Sequence, residues 1–133
     1  MAQGAIRETQ PVSTAIRASV ILTLSYVATS TVDCRDATHV EYAIDFTLGG
    51  GGCTGLQWTP QHSHDDSTWE PITEDDALAS TTKLLERTIA ASQTGFSVKL
   101  KCARRYQRLM VRALTNVTGT LCAARAAKIF GGT

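Results

Sequence analysis

Residues 39–72 constrain this chain most: three runs that read as strands, joined by turns. In the first, HVEYAIDFT, Val40, Tyr42, Ile44 and Phe46 fall on one face, with Glu41 and Asp45 on the other. Successive side chains of a strand point to opposite faces, so period-two alternation marks a strand with one buried side. LGGGGCTG follows, and its four successive glycines suit a loop that no helix would tolerate. LQWTPQHSH and TWEPI are the second and third runs, separated by the turn-forming DDS. These residues impose an antiparallel β protein, and no catalytic motif lies among them.

Further strands are predicted over residues 19–28, 80–90, 96–102, 107–115 and 120–130. Phe96, Val98, Leu100 and Cys102 alternate with Lys99 and Lys101, and Leu109, Val111 and Ala113 alternate with Arg108, Met110 and Arg112. Residues 116–119 read as a turn. Leu84 and Leu85 break the alternation, which admits a short helix over 81–87. Seven or eight strands with frequent turn signals predict an all-β, antiparallel β-sandwich, jelly-roll or immunoglobulin-like in its connections. Residues 1–13 are polar, with Gly4, Pro11 and no aromatic residue, and read as an extended N-terminal arm before a sandwich domain over 14–133. Such an arm buries too little surface to order itself, so the domain or a neighbouring subunit is expected to hold it.

A chain of 133 residues makes one domain with a sizeable core, and 43% apolar content is ordinary for a globular protein. The formal net charge of +1 excludes a strongly basic nucleic-acid binder on bulk charge. No run approaches the roughly 18 apolar residues of a transmembrane helix, so no membrane partner is expected. Arg17 precedes ASVILTLSYVA, but serines and threonines interrupt that run and a strand fits better than a signal peptide. Synthesis in the cytoplasm without export is the expectation.

Charge is distributed unevenly along the chain. From His62 to Asp76 there are six acids and no Lys or Arg, and from Arg87 to Thr133 nine bases and no acid. If the two regions lie on different faces, the acidic loop of one subunit can dock on the basic face of the next, which favours register and specificity. Arg7, Arg104, Arg105, Arg108, Arg112, Asp65, Asp66, Asp75 and Asp76 are the candidate interface residues. The bland alternative is that both regions are solvated surface, since isolated surface pairs contribute little. Nucleic acid is not expected, because the basic half lacks interleaved exposed aromatics and any RNA-binding signature.

The motifs of catalysis and metal binding are missing. There is no GxSxG, no Cys–His arrangement and no carboxylate pair in an apolar setting. The tetraglycine lacks the lysine and helix of a phosphate loop. His62 and His64 would share a strand face, with Asp65, Asp66, Glu74, Asp75 and Asp76 nearby, but the spacing suits neither zinc nor calcium and reads as a solvated acidic loop. No cofactor is implied. Cys34, Cys53, Cys102 and Cys122 contain no CxxC. They are either free thiols, as in most cytosolic proteins, or disulfides within or between chains formed in an oxidising medium. Three intrachain connectivities are open, and Cys34 and Cys53 flank the Val40 strand as candidates to staple neighbouring subunits.

Ser63-His64-Asp65-Asp66-Ser67-Thr68-Trp69 resembles the Asp-box hairpin signature, one residue short, in which an aspartate caps backbone amides and the tryptophan packs beneath. On that reading Trp69→Ala would cost about 3 kcal/mol. A late strand reads Arg105-Tyr106-Gln107-Arg108-Leu109-Met110-Val111-Arg112. With the arm and the strand ending Ile44-Asp45-Phe46-Thr47, the order over residues 40–121 resembles the small β-sandwich structural proteins of tailed bacteriophages: head decoration (cement) proteins and neck or collar components. Asp66 stands where that group's hairpin has glycine, and four cysteines are unusual for it. The resemblance implies a non-enzymatic virion protein, synthesised in the host cytoplasm, that forms homo-oligomers and binds major capsid or neck proteins. It carries over no catalytic residue.

A carbohydrate-binding sandwich is the alternative, with Trp58 or Trp69 stacking on sugar rings. Aromatic exposure discriminates: Trp58 alternates with Leu56 and Pro60 and is expected in the core, whereas Trp69 adjoins a loop and is the residue that an exposed platform would need.

Overall fold

The alternating run around Val40 becomes an eleven-residue strand at the centre of one sheet. The computed structural model describes residues 13–49, 52–73, 85–115 and 120–130, and all ten strands named here lie among them. These are β1 (Ser13–Ile21), β2 (Val27–Ala28), β3 (Val32–Asp33), β4 (Ala37–Thr47) and β5 (Gly55–Ser63). After them come β6 (Glu70–Pro71), β7 (Arg87–Ile89), β8 (Gln93–Lys101), β9 (Tyr106–Leu114) and β10 (Leu121–Phe130). One sheet has the order β1-β10-β4-β8 and the other β2-β9-β5-β6, with β3 also on β9 and β7 also on β5. Every pairing is antiparallel. The fold is a β-sandwich, as the alternation predicts.

Inward positions of both sheets build one core. Val40, Tyr42, Ile44 and Phe46 of β4 are at most 2% exposed. They face Leu109, Val111 and Ala113 of β9 and Leu56 and Trp58 of β5, with Cys122, Ala124 and Ala126 of β10 beside them. Burying each large apolar side chain contributes about 1.5–3 kcal/mol. Trp58 is 3% exposed, so it belongs to the core as expected.

Pro60 explains why the edge beside β5 is split. A residue's N–H and C=O point to the same side of its strand, and the Pro60 carbonyl accepts the Ile72 amide on the β6/β7 side. The donor that proline lacks would therefore fall on that side. β6 pairs with Gln61 and His62, β7 pairs with Leu56–Trp58, and the gap opens at Pro60. Thr59 partly fills it, its hydroxyl donating to the Leu85 carbonyl at 2.8 Å.

Several expectations are corrected. The strand predicted over 19–28 begins at Ser13 and ends at Ile21, and a short β2 takes up at Val27. Ser13, placed in the arm, is paired with Ala127. Register shifts between Ala15 and Arg17 and between Arg17 and Val20 erase the alternation that sequence reading relies on. Arg17 spans the irregularity, donating Nε to the Cys122 carbonyl at 3.1 Å. Within the helix considered over 81–87, Leu85 and Glu86 are non-helical and Arg87 opens β7. Residues 1–12, Gly50, Gly51, 74–84, the 116–119 turn and 131–133 lie outside the described residues, and with them Arg7, Asp75 and Asp76.

Candidate interaction surface

β9 carries a row of arginines on the outer face of its sheet. Gln107, Leu109, Val111 and Ala113 point into the core, so Tyr106, Arg108, Met110 and Arg112 point out. The neighbouring β5 places Gln61 directly opposite Arg108 and Gln57 directly opposite Arg112. Each arginine grips its glutamine with two donors. Arg108 Nε and Nη2 donate to Gln61 Oε1 at 2.9 and 2.7 Å. Arg112 Nε and Nη2 donate to Gln57 Oε1 at 2.8 and 2.5 Å.

An aromatic ring braces each guanidinium from the other side. Arg108 Cζ lies 4.1 Å from the Trp69 ring centroid and Arg112 Cζ 4.7 Å from that of Tyr26. Such cation–π contacts contribute roughly 0.5–1 kcal/mol each at exposed sites. The Tyr26 hydroxyl donates to Glu86 Oε2 at 2.5 Å, and burial followed by that carboxylate pushes its pKa upward. Burial lowers the Arg108 pKa somewhat, with the Asp66 charge opposing.

The two other arginines of the cluster are neutralised within the chain. Arg104 Nη1 pairs with Glu70 Oε1 at 2.5 Å, and Arg105 reaches both oxygens of Asp33 at 3.3 and 3.4 Å. The Arg35 amide and then Arg105 lower the Asp33 pKa. Among the described residues no carboxylate lies within ion-pair distance of Arg108 or Arg112. The sheet therefore presents two immobilised guanidiniums, each held by an amide oxygen and an aromatic ring and, among the described residues, by no ion pair. Four residues apart on a strand, they are about 13 Å from one another.

The acidic hairpin is not on a separate face. The turn joining β5 to β6 sits beside the start of β9, where Ser63 pairs with Tyr106. The Glu70–Arg104 bridge therefore joins the two charge blocks inside one subunit, so the condition of separate faces is not met at this point. Asp65 is taken up by its own turn. Its Oδ1 accepts the Thr68 amide at 2.8 Å, the Ser67 amide at 3.0 Å and the Ser63 hydroxyl at 2.9 Å. These bonds, the Thr68 amide first, hold its pKa at about 2. Asp66 occupies the glycine position of the hairpin with φ at +60°, and accepts the Thr31 hydroxyl at 3.1 Å. Among the described residues, Asp66, Arg108 and Arg112 are the interface candidates that neither an ion pair nor their own turn takes up.

Trp69 does not pack beneath the hairpin as a core residue. It is half-buried on the outer surface, with one ring face under Arg108. A sugar stacking on that face would have to displace the guanidinium, and Trp58 is buried. Sequence reasoning missed Gln57, Gln61 and Tyr26. Matching i, i+4 spacing of Gln57/Gln61 and Arg108/Arg112 on two strands was the available signal for the glutamines.

All four cysteines are thiols; Cys34, Cys53 and Cys122 are buried and Cys102 is half-buried. Among the described residues no group of three or more metal-ligating side chains converges. His62 lies in β5, whereas His64 lies beyond its end, in the turn. No protein-family model matches the chain, and no curated protein shows significant similarity to it.

Proposed function

We propose that this protein is a non-enzymatic structural subunit of a virion, which self-associates and binds capsid or neck subunits to stabilise the particle. The observation that carries the reading is the pair Arg108 and Arg112. Each is fixed by a glutamine and an aromatic ring, and among the described residues neither has a carboxylate within ion-pair distance. Ordering these side chains in advance lowers the entropy cost of binding an acidic neighbour. Charge complementarity of this kind fixes the register of subunits.

Two further features suit an assembly role. Val20 and Ile21 at the end of β1, Leu24 beyond it, and Phe130 at the end of β10 are 47–56% exposed and offer apolar area to bury. The arm leads into β1, an edge strand of its sheet. In the phage proteins that the sequence resembles, such a subunit acts by burying area across subunit boundaries, with no chemistry.

Deletion of residues 1–12 tests the arm's part in this. The truncated protein is expected to keep the wild-type thermal melt and to stay out of the assembly. Incorporation equal to wild type would overturn the role.

A further inference from the structure

Two connectors cross between the sheets at the same end of the sandwich, and each carries a cysteine. Residues 34–36 join β3 to β4, and residues 102–105 join β8 to β9. They run antiparallel, side by side. Asp33 pairs with Tyr106 and His39 with Lys101. Between those pairs the Cys34 amide donates to the Arg105 carbonyl, and the Cys102 amide donates to the Thr38 carbonyl at 2.8 Å. Cys34 also accepts the Ala37 amide at 2.9 Å, closing its own turn. Both cysteines therefore sit inside one small hydrogen-bonded ring. Both thiols turn inward: Cys34 is a core residue, 4% exposed, and Cys102 packs against the core from its rim.

We propose that Cys34 and Cys102 are a redox pair that closes to a disulfide, stapling the two sheets together at this end. Pairing either of them with Cys53 or Cys122 would be too long. Cys102 is bonded beside Thr38 at one end of β4, whereas Cys122 pairs with Phe46 near the other, eight residues or about 27 Å away. Cys53 lies at that same far end, next to Thr54, which bonds to Leu114. A disulfide needs Cα atoms within about 7 Å.

Cys102, the more exposed thiol, reacts first. As thiolate it attacks a small disulfide such as oxidised glutathione, forming a mixed disulfide and releasing one glutathione thiolate. The Cys34 thiolate then attacks Cys102 Sγ, expelling the second glutathione. Two protein thiols thereby lose two protons and two electrons, and the oxidant becomes two thiols. The Cys34 thiol donates to the Val32 carbonyl at 3.8 Å, and Lys128 of β10 favours the thiolate at both cysteines. Burial opposes this and keeps both protonated at neutral pH. The inference does not depend on the assembly role.

The test is oxidation of the purified full-length protein with oxidised glutathione, followed by alkylation in denaturant and tryptic mass mapping. The expected product joins peptide 18–35 to peptide 102–104, about 2 Da lighter than the two free peptides together. Cys53 and Cys122 should be alkylated as thiols. The melting temperature should rise by about 5 °C and return on reduction. Cys102→Ser should leave Cys34 an unmodified thiol under the same treatment. Stable glutathionylation of Cys102 beside a free Cys34, or a link from either residue to Cys53, Cys122 or a second chain, would overturn the pairing.

Discussion

Tyr42 and Gln107 meet across the interior, the phenol of β4 donating to Gln107 Oε1 of β9 at 2.7 Å. Both side chains are fully buried, and Gln107 Nε2 donates onward to the Lys101 carbonyl at 3.2 Å. Two sheets that pack largely through apolar side chains thus share directional bonds that fix how they sit on one another. Burial pushes the Tyr42 pKa well up, so the phenol stays a donor throughout the accessible pH range.

Tyr42→Phe leaves Gln107 Oε1 buried without its donor. The expected cost is about 1–3 kcal/mol, read as a lower urea midpoint at unchanged slope. Tyr42→Phe combined with Gln107→Leu should cost less than the sum of the two single changes, because the second removes the orphaned acceptor. Strict additivity would show that the bond contributes nothing.

Gly55 stands where β5 meets β7. Its φ is +152°, and a Cβ built there would lie 2.6 Å from the Ile89 carbonyl oxygen. Gly55→Ala is expected to cost about 2 kcal/mol or more, since the backbone at Ile89 and Ala90 must shift. Gly52→Ala, with φ at +94° and open space around it, meets backbone strain alone and should cost less in the same melt.

Asp65 sets an acid limit on the hairpin. Its pKa is lowered to about 2 by three local donors, against about 3.9 for an unfolded aspartate. A depressed folded-state pKa stabilises the protein above the unfolded value, and that contribution disappears as pH falls from about 4 to about 2. Asp65→Asn should be less stable at pH 7 and should lose less stability than wild type over that interval. Parallel pH profiles for the two proteins would contradict the assignment.

Trp69→Ala is expected to cost about 1–1.5 kcal/mol, well below a buried tryptophan, because the ring is half-buried and mostly braces Arg108. A cycle with Arg108→Ala should show coupling of about 0.5–1 kcal/mol. A loss near 3 kcal/mol would restore the picture of Trp69 packed beneath the hairpin.

Much of the fold was legible because three strands keep strict alternation. Val40 to Phe46, Leu109 to Ala113 and Phe96 to Leu100 each reveal a buried face, and Ser63 and Asp65 announce their turn. β1 was misread because its bulges put Arg17 and Val20 out of phase, and a bulge leaves no period to detect. The pairing of β4 with β10 and β8 depends on contacts between distant segments, which local pattern does not encode. For the same reason the charge blocks looked separable in sequence, although β5 and β9 are neighbours and bring Glu70 to Arg104. Gln107 was unforeseen because its partner, Tyr42, lies on the other sheet.

The most direct measurement is native mass spectrometry of wild type and an Arg108→Glu/Arg112→Glu variant, with circular dichroism to confirm that both fold. Wild type is expected as a closed oligomer, and the variant as a folded monomer, because reversing both charges repels the acidic neighbour. Wild type that stays monomeric at every concentration, or a folded variant that assembles as wild type does, would contradict docking through this face.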